Sequence, residues 1–193
     1  MIHNKYLMIL RQYLGDYNKE IYGRNIVNKV ALSQKAIALT LDELEKEGIL
    51  KSRKQGNIKY FKLNISNPNT KDLLSSVEML NKTIFFNKNK KLHSLFKKDD
   101  RIIGVFGSYA KGTETKSSDI DLFIIGDKLK NDYDKKGELF DLKISIKYFP
   151  ERKFIELIKD KNNLCKEIIE NHITIFNVEK FINIVWGDYY GFD

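Results

Sequence analysis

Between Asn4 and Leu14 the apolar residues Leu7, Leu10 and Leu14 recur at helical spacing, and Gly15 with Asp16 breaks the run. A second short helical stretch carries Ile26, Val27 and Val30. Ser33 then stands where an N-cap belongs, ahead of a helix whose Ile37, Leu41 and Leu44 form one apolar stripe. Gly48 closes that helix, placed so that Ile49 can fold back onto Leu44 in a Schellman ending. The stretch ILKSRKQGNIKYFKLN reads as two short strands around a Gln-Gly-Asn turn. After the polar, Pro-containing NISNPNTKD, the residues Leu73, Val77, Leu80 and Ile84 recur at helical intervals and predict a linking helix. FFNKNKKLHSLFKKDD sets Leu92, Leu95 and Phe96 among lysines, the pattern of a segment that covers the next domain while its charges stay in water. Arg101 to Phe106 and DIDLFII then read as short buried strands, joined by Gly107 to Ser118. Near the C-terminus Phe181, Ile182, Val185 and Trp186 keep helical spacing ahead of an aromatic tail, the pattern of a helix packed on its own domain.

Composition adds the class. With 193 residues, 42% hydrophobic, 31% charged and two prolines, the chain reads as a soluble globular protein with one sizeable core or two small ones. No apolar run is long enough to span a bilayer. Arg11 and Gln12 interrupt the apolar patch near the start and no small-residue cleavage site follows, so a cytoplasmic location is expected. The single cysteine, Cys165, allows no internal disulfide and no thiolate cluster, and like the lone His93 it is read as structural. The net charge of +8 is unevenly placed: twelve Lys and Arg face six Asp and Glu in residues 1–70, seven face four in 71–100, and fifteen face sixteen beyond. An N-terminal excess of this kind points to a polyanionic partner for that part of the chain.

The order helix, helix, helix, hairpin over roughly residues 3–65 resembles the winged helix-turn-helix of many small prokaryotic transcription regulators, on the phrase SQKAIALTLDELEKEGILKSRKQGNIKYFKLN. The resemblance implies that Ser33, Gln34 and Lys35 meet the major groove of double-stranded DNA, while Arg53, Lys54 and Lys59 on the wing reach phosphates. Gln34 is the candidate for a base-edge contact, and the acidic second half of the helix, Asp42, Glu43, Glu45 and Glu47, must face away from DNA. The other reading of the same fold is a surface for protein contacts or dimerisation.

The loop GSYAKGTETKSSDIDLFIIG carries the chemistry. Along the second buried strand Asp119 and Asp121 lie on one face, about 6.6 Å apart at roughly 3.3 Å per residue. Two carboxylates there repel each other, and their ionised forms become favourable with a divalent cation between them; Mg²⁺ shared with substrate phosphates suits such oxygen ligands. Gly107 permits close backbone approach, and Ser108 offers a hydroxyl and an N–H to a phosphate oxygen. The chemistry implied is phosphoryl transfer.

Gly-Ser-x10-Asp-x-Asp is similar to the signature of the minimal nucleotidyltransferases of the DNA polymerase β superfamily, with Gly107, Ser108, Ala110, Gly112, Ser118, Asp119 and Asp121 at the expected places. IKYFPERKFIELI and ENHITIFN resemble that family's later strand, helix and final strand. The resemblance implies an NTP, ATP by expectation, with Mg²⁺ at the edge of a mixed sheet, and nucleotidyl transfer with release of pyrophosphate to an acceptor that is a protein in some members.

This sequence departs from the pattern in two places. The family's third carboxylate, on the strand next to Asp-x-Asp, falls by register on Ser145. Along DLKISIKYF, Asp141, Lys143, Ser145 and Lys147 share the polar face, and Asp141 lies about 13 Å from Ser145 at roughly 3.3 Å per residue. Tyr109 stands where many relatives carry arginine, which leaves Lys111 as the nearest cation for a triphosphate or as a solvated helix residue.

The expected architecture is α+β. A winged helix-turn-helix occupies residues 1–66, a linking helical segment 67–98, and a nucleotidyltransferase-like mixed sheet with helices on one face 99–193. Two functions compete: a Mg-dependent nucleotidyltransferase localised or regulated by DNA binding, and a DNA-binding regulator whose degenerate transferase domain senses a nucleotide. A second copy of the chain is a candidate partner in either case.

Overall fold

The computed structural model describes residues 4–130 and 132–192; Met1–His3 at the head of the first predicted domain, Asn131, and Asp193 at the end of the last lie outside the described residues. The chain divides into two compact units, Met1–Leu80 and Asn81–Asp193, so the division falls inside the predicted linking segment.

In the first unit, helix α1 (Asn4–Leu10) tightens into a 3₁₀ turn (Arg11–Tyr13), followed by α2 (Gly23–Ile26), α3 (Gln34–Lys46) and the hairpin β1 (Leu50–Gln55) and β2 (Ile58–Leu63). The first helix buries Tyr6, Ile9, Leu10 and Tyr13 rather than Leu7 and Leu14, because the tyrosines supply the i, i+3, i+4, i+7 face. Its α-helical part therefore stops four residues short of the predicted end.

The third helix starts and stops where the sequence says it should. Ser33 Oγ accepts the Ala36 N–H at 3.2 Å. At the other end Gly48 adopts φ +74°, and the N–H groups of Gly48 and Ile49 donate to the carbonyls of Glu45 and Leu44 at 2.9 Å each. That is the Schellman pair, and it returns Ile49 to the core. In the hairpin Gln55 pairs with Ile58, leaving a two-residue turn, and Ile21 bridges Phe61 as a short third strand. Ile37, Leu41, Leu44 and Ile26 pack beneath, each fully buried aliphatic contributing about 1.5–3 kcal/mol.

Helix α4 (Pro68–Lys88) opens with proline in its first turn, where the missing N–H costs nothing. The second unit then runs α5 (Lys90–Leu95), β3 (Ile102–Phe106), α6 (Gly107–Lys111), β4 (Ile120–Ile125), α7 (Tyr133–Glu138), β5 (Ile144–Phe149), α8 (Glu151–Lys159), α9 (Asn163–Glu170), β6 (His172–Phe176) and α10 (Val178–Ile184), ending in a π turn (Val185–Tyr189). The sheet order is β5-β4-β3-β6, with β4 and β5 parallel and the other pairs antiparallel, a mixed sheet.

Helices cover both faces of this sheet, which corrects the expectation of one. Ile103, Val105, Ile120, Leu122 and Ile124 pack with Leu92, Leu95 and Tyr133 on one side. On the other, Phe123 meets Phe181 of α10 at 5.4 Å between ring centres, and Phe149 meets Phe154 of α8 at the same distance. The physical reason is legible in β4: five of its six residues are apolar and buried, the signature of a strand covered on both sides rather than an alternating one. The loop before β3 is pinned by Arg101, whose guanidinium donates to Asp99 and Asp132 while Tyr133 Oη donates to Asp99. Trp186 is buried and packs edge-on against Phe192, so the aromatic tail folds on itself. Among the described residues no helix is long and apolar enough to cross a membrane.

Candidate functional site

The loop between β3 and β4 brings its glycine onto its aspartate. Phe106, the last residue of β3, pairs with Asp121 on β4, and the chain turns immediately at Gly107 with φ +69° into α6. A Cβ on Gly107 would stand 2.7 Å from Asp121 Oδ2. The backbone angle requires glycine, and any side chain there would also have to displace the carboxylate against it. Gly107→Ala is expected to destabilise the fold by about 1–3 kcal/mol and to push the Asp121 carboxylate aside, read as a lowered Tm together with weakened nucleotide binding. Retention of both would mean the approach is not tight.

Asp121 is the second residue of β4 and half-buried; Asp119 just precedes the strand and is exposed. Burial first, and the negative charge of Asp119 second, hold the Asp121 carboxyl above the usual aspartate range; Glu167 adds to the rise, while Lys147 and a hydrogen bond from Ser145 oppose it. The two aspartates are the residues that could hold a hard divalent cation. No cluster of three or more His, Cys, Asp or Glu side chains placed to hold a metal ion occurs among the described residues, so any further ligands would come from water or substrate oxygens.

Ser145 is the direct partner of Asp121 across the parallel β4–β5 pair. Asp141 is elsewhere. It occupies an exposed turn with φ 54°, ahead of β5, which begins only at Ile144. The strand expected over DLKISIKYF therefore starts three residues late, because the Asp141 and Leu142 N–H groups bond back to the Glu138 and Gly137 carbonyls at the end of α7, and the segment first meets β4 where Ile120 N–H donates to the Lys143 carbonyl.

Ser108 lies in the first turn of α6, half-buried, and Lys111 is its last residue. Lys111 is not a free cation: its Nζ sits 2.8 Å from Glu167 Oε1 on α9. Tyr109 and Ala110 pack against the core of the sheet, which accounts for an aromatic residue in place of arginine. Burial pushes the Cys165 thiol up to about 11, so it stays protonated and inert near neutrality.

In the first unit Gln34 and Lys35 are exposed in the opening turn of α3, and Ser33, also exposed, spends its hydroxyl on the cap. Lys54 is exposed on β1. The other two wing cations are engaged internally. Arg53 forks onto Glu20, its Nη2 at 2.6 Å, and Lys59 Nζ reaches Asp42 at 2.8 Å and Glu45 at 2.6 Å. The sequence sets Asp42 and Glu45 away from the surface that Lys59 serves; the structure joins them, because the hairpin folds Lys59 across the flank of α3 rather than out into solvent.

Sequence reasoning placed Lys147 on the polar face but gave it no role at the site, and gave none to Glu167. Lys147 shares the face of Ser145 at period two, a signal the sequence carries. Glu167 has none, since only the packing of α9 beside α6 brings it near.

Residues 90–181 match the family model described as Polymerase beta, Nucleotidyltransferase. The match supports a nucleotidyltransferase domain of the polymerase β superfamily in that segment, and with it nucleotidyl transfer as the general chemistry; it takes in α5, whose Leu92 and Leu95 belong to the sheet's core. No curated protein and no solved structure matches the chain.

Proposed function

We propose that the second unit transfers a nucleoside monophosphate from an NTP, ATP by expectation, to an acceptor hydroxyl, using Mg²⁺ held by Asp119 and Asp121, and that the first unit is a winged helix that binds duplex DNA. The observation that carries the enzymatic reading is the carboxylate pair at the start of β4 with the Gly107–Ser108 backbone against it. Bound there, the cation would polarise the α-phosphate and neutralise charge as pyrophosphate leaves. Ser108 and the backbone at the head of α6 orient the phosphates, and Lys111 supplies positive charge to them. The acceptor oxygen forms a bond to the α-phosphorus while the bridging bond to the β-phosphate breaks, and pyrophosphate departs with the electron pair. The acceptor's proton has no carboxylate to receive it at position 145, so it passes to water. That favours the second reading, a regulator whose transferase domain senses a nucleotide with little or no turnover.

One experiment separates the two. The full chain is incubated with each α-labelled NTP and Mg²⁺ in the presence of a cell lysate, which offers protein and nucleic-acid acceptors. Label appearing in an acceptor with pyrophosphate release supports the transferase; NTP binding without either supports the sensor; neither binding nor transfer removes both.

The DNA reading is supported by the element order, the N-terminal charge excess and the exposed Gln34, Lys35 and Lys54. Because Lys59 is already tied to two carboxylates, Lys59→Ala is expected to weaken duplex binding less than Lys54→Ala. Lys54→Ala should lower affinity on all sequences alike and reduce the slope of log K against log salt by about one. Gln34→Ala should relax sequence preference instead. Gel shifts with the full chain over a salt series give all three values, and salt-independent binding, or none, turns this face into a protein-contact surface.

A further inference from the structure

Lys111 and Ser108 stand three residues apart on α6 and so address the same side of it. The partner of Lys111 is Glu167, in the middle of α9. The packing of α9 rests on Cys165, Ile168 and Ile169, which are buried, whereas Glu167 leans out toward α6 with 43% of its side chain exposed. Its charge reaches Asp121 as well. The loop and its surroundings then hold four carboxylates, Glu114, Asp119, Asp121 and Glu167, against the three cations Lys111, Lys116 and Lys147, an unfavourable balance for a site meant to admit a polyphosphate.

A carboxylate oxygen and a phosphate oxygen are alternative partners for one ammonium group. On the reading that this site takes an NTP, we infer that Glu167 is a built-in competitor for the triphosphate: it holds Lys111 in the nucleotide-free site, and the incoming phosphates displace it. Glu167 then sets how much NTP is needed to fill the site without touching the reacting atoms. The pair keeps Lys111 beside α6, ready for the exchange, and the displaced carboxylate turns to water, which its exposure permits.

An exposed ion pair shifts an equilibrium by roughly 1.5- to 5-fold, and removing the carboxylate also removes its repulsion of the triphosphate. Glu167→Gln is therefore expected to tighten binding of a Mg·NTP by about 3- to 10-fold at low ionic strength, with the gain shrinking as salt screens the charges. Glu167→Asp, which keeps a carboxylate, should bind as the wild type does. Lys111→Met with Glu167→Gln should keep over Lys111→Met alone only the smaller part of the gain that comes from lost repulsion, because the rest acts through Lys111.

The test is calorimetry of the full chain with each of the four Mg·NTPs, with Asp121→Asn in parallel. Tighter binding by Glu167→Gln that is mostly lost in the double variant supports the inference; a gain undiminished there overturns it, since repulsion alone would then account for it. Unchanged or weaker binding by Glu167→Gln, while wild-type binding depends on Asp121, overturns it: Glu167 then merely positions Lys111, and the nucleotide site stands. Absence of binding by every variant overturns this inference and the nucleotide reading together.

Discussion

Asp121→Asn is expected to abolish metal-dependent nucleotide binding and to lower any nucleotidyl transfer by about 10³-fold or more, because a metal contribution of several kcal/mol to charge stabilisation converts to about a decade per 1.36 kcal/mol. The same change should leave the metal-free fold intact or slightly raise its Tm. The reason is the direction in which Asp121 is perturbed. Burial and the charge of Asp119 raise its folded pKa above the unfolded value, so the carboxyl contributes most to stability while protonated, below the unfolded pKa. That contribution is lost as pH climbs through the raised folded value. Asparagine removes the ionisation and with it this segment of the pH dependence. Mg²⁺ should act oppositely, stabilising the wild type most where both carboxyls are ionised and hardly affecting the variant. Asp119→Asn should cost nucleotide binding in the same way with little effect on Tm, since Asp119 is exposed. Thermal denaturation with and without Mg²⁺ across mildly acid to neutral pH, paired with calorimetry, reads all of this. Metal-dependent binding that survives in both variants would remove the site.

What the sequence discloses is what depends on local chemistry. The cap at Ser33 and the ending at Gly48 can be read because each is decided within four residues by one hydroxyl and one positive φ. The Gly107–Ser108 and Asp119–Asp121 spacing can be read because a strand, a tight turn and the next strand allow few ways for a glycine to meet an aspartate. Ser145 opposite Asp121 follows from counting back from the helix after β5. Features set by packing are not disclosed. Whether a helix covers the second face of the sheet depends on α8 and α10 reaching Phe123 through Phe154 and Phe181. Asp141 leaves the expected strand because the α7 end, through the Gly137 carbonyl, captures the Leu142 N–H first. The engagement of Arg53, Lys59 and Lys111 by carboxylates from 14 to 56 residues away is likewise tertiary, and it changes what each cation can offer a phosphate.

Ser145→Asp carries the sharpest expected gain. The serine lies directly across from Asp121 on the parallel neighbour, so an aspartate there would place a third carboxylate at the same end of the site. A carboxylate in that place can take the acceptor's proton and help hold a cation, and transfer should rise by a factor on the order of 10² with little change in NTP affinity. The gain should carry a signature that a general repacking would not. Without a divalent cation the third charge repels Asp121, so Ser145→Asp should melt below the wild type in a chelator, and Mg²⁺ should restore or exceed the wild-type Tm. Asp141→Ala is the control from the displaced position. With φ 54° the alanine adopts a left-handed conformation that costs about 1 kcal/mol, and Tm should fall slightly while activity per folded molecule stays level; Asp141→Gly should recover the loss. A wild type that turns over briskly, is silenced by Asp141→Ala and is harmed by Ser145→Asp even with Mg²⁺ present would instead make Asp141 the proton acceptor. The turn at 139–143 would then have to close over the site when substrate binds.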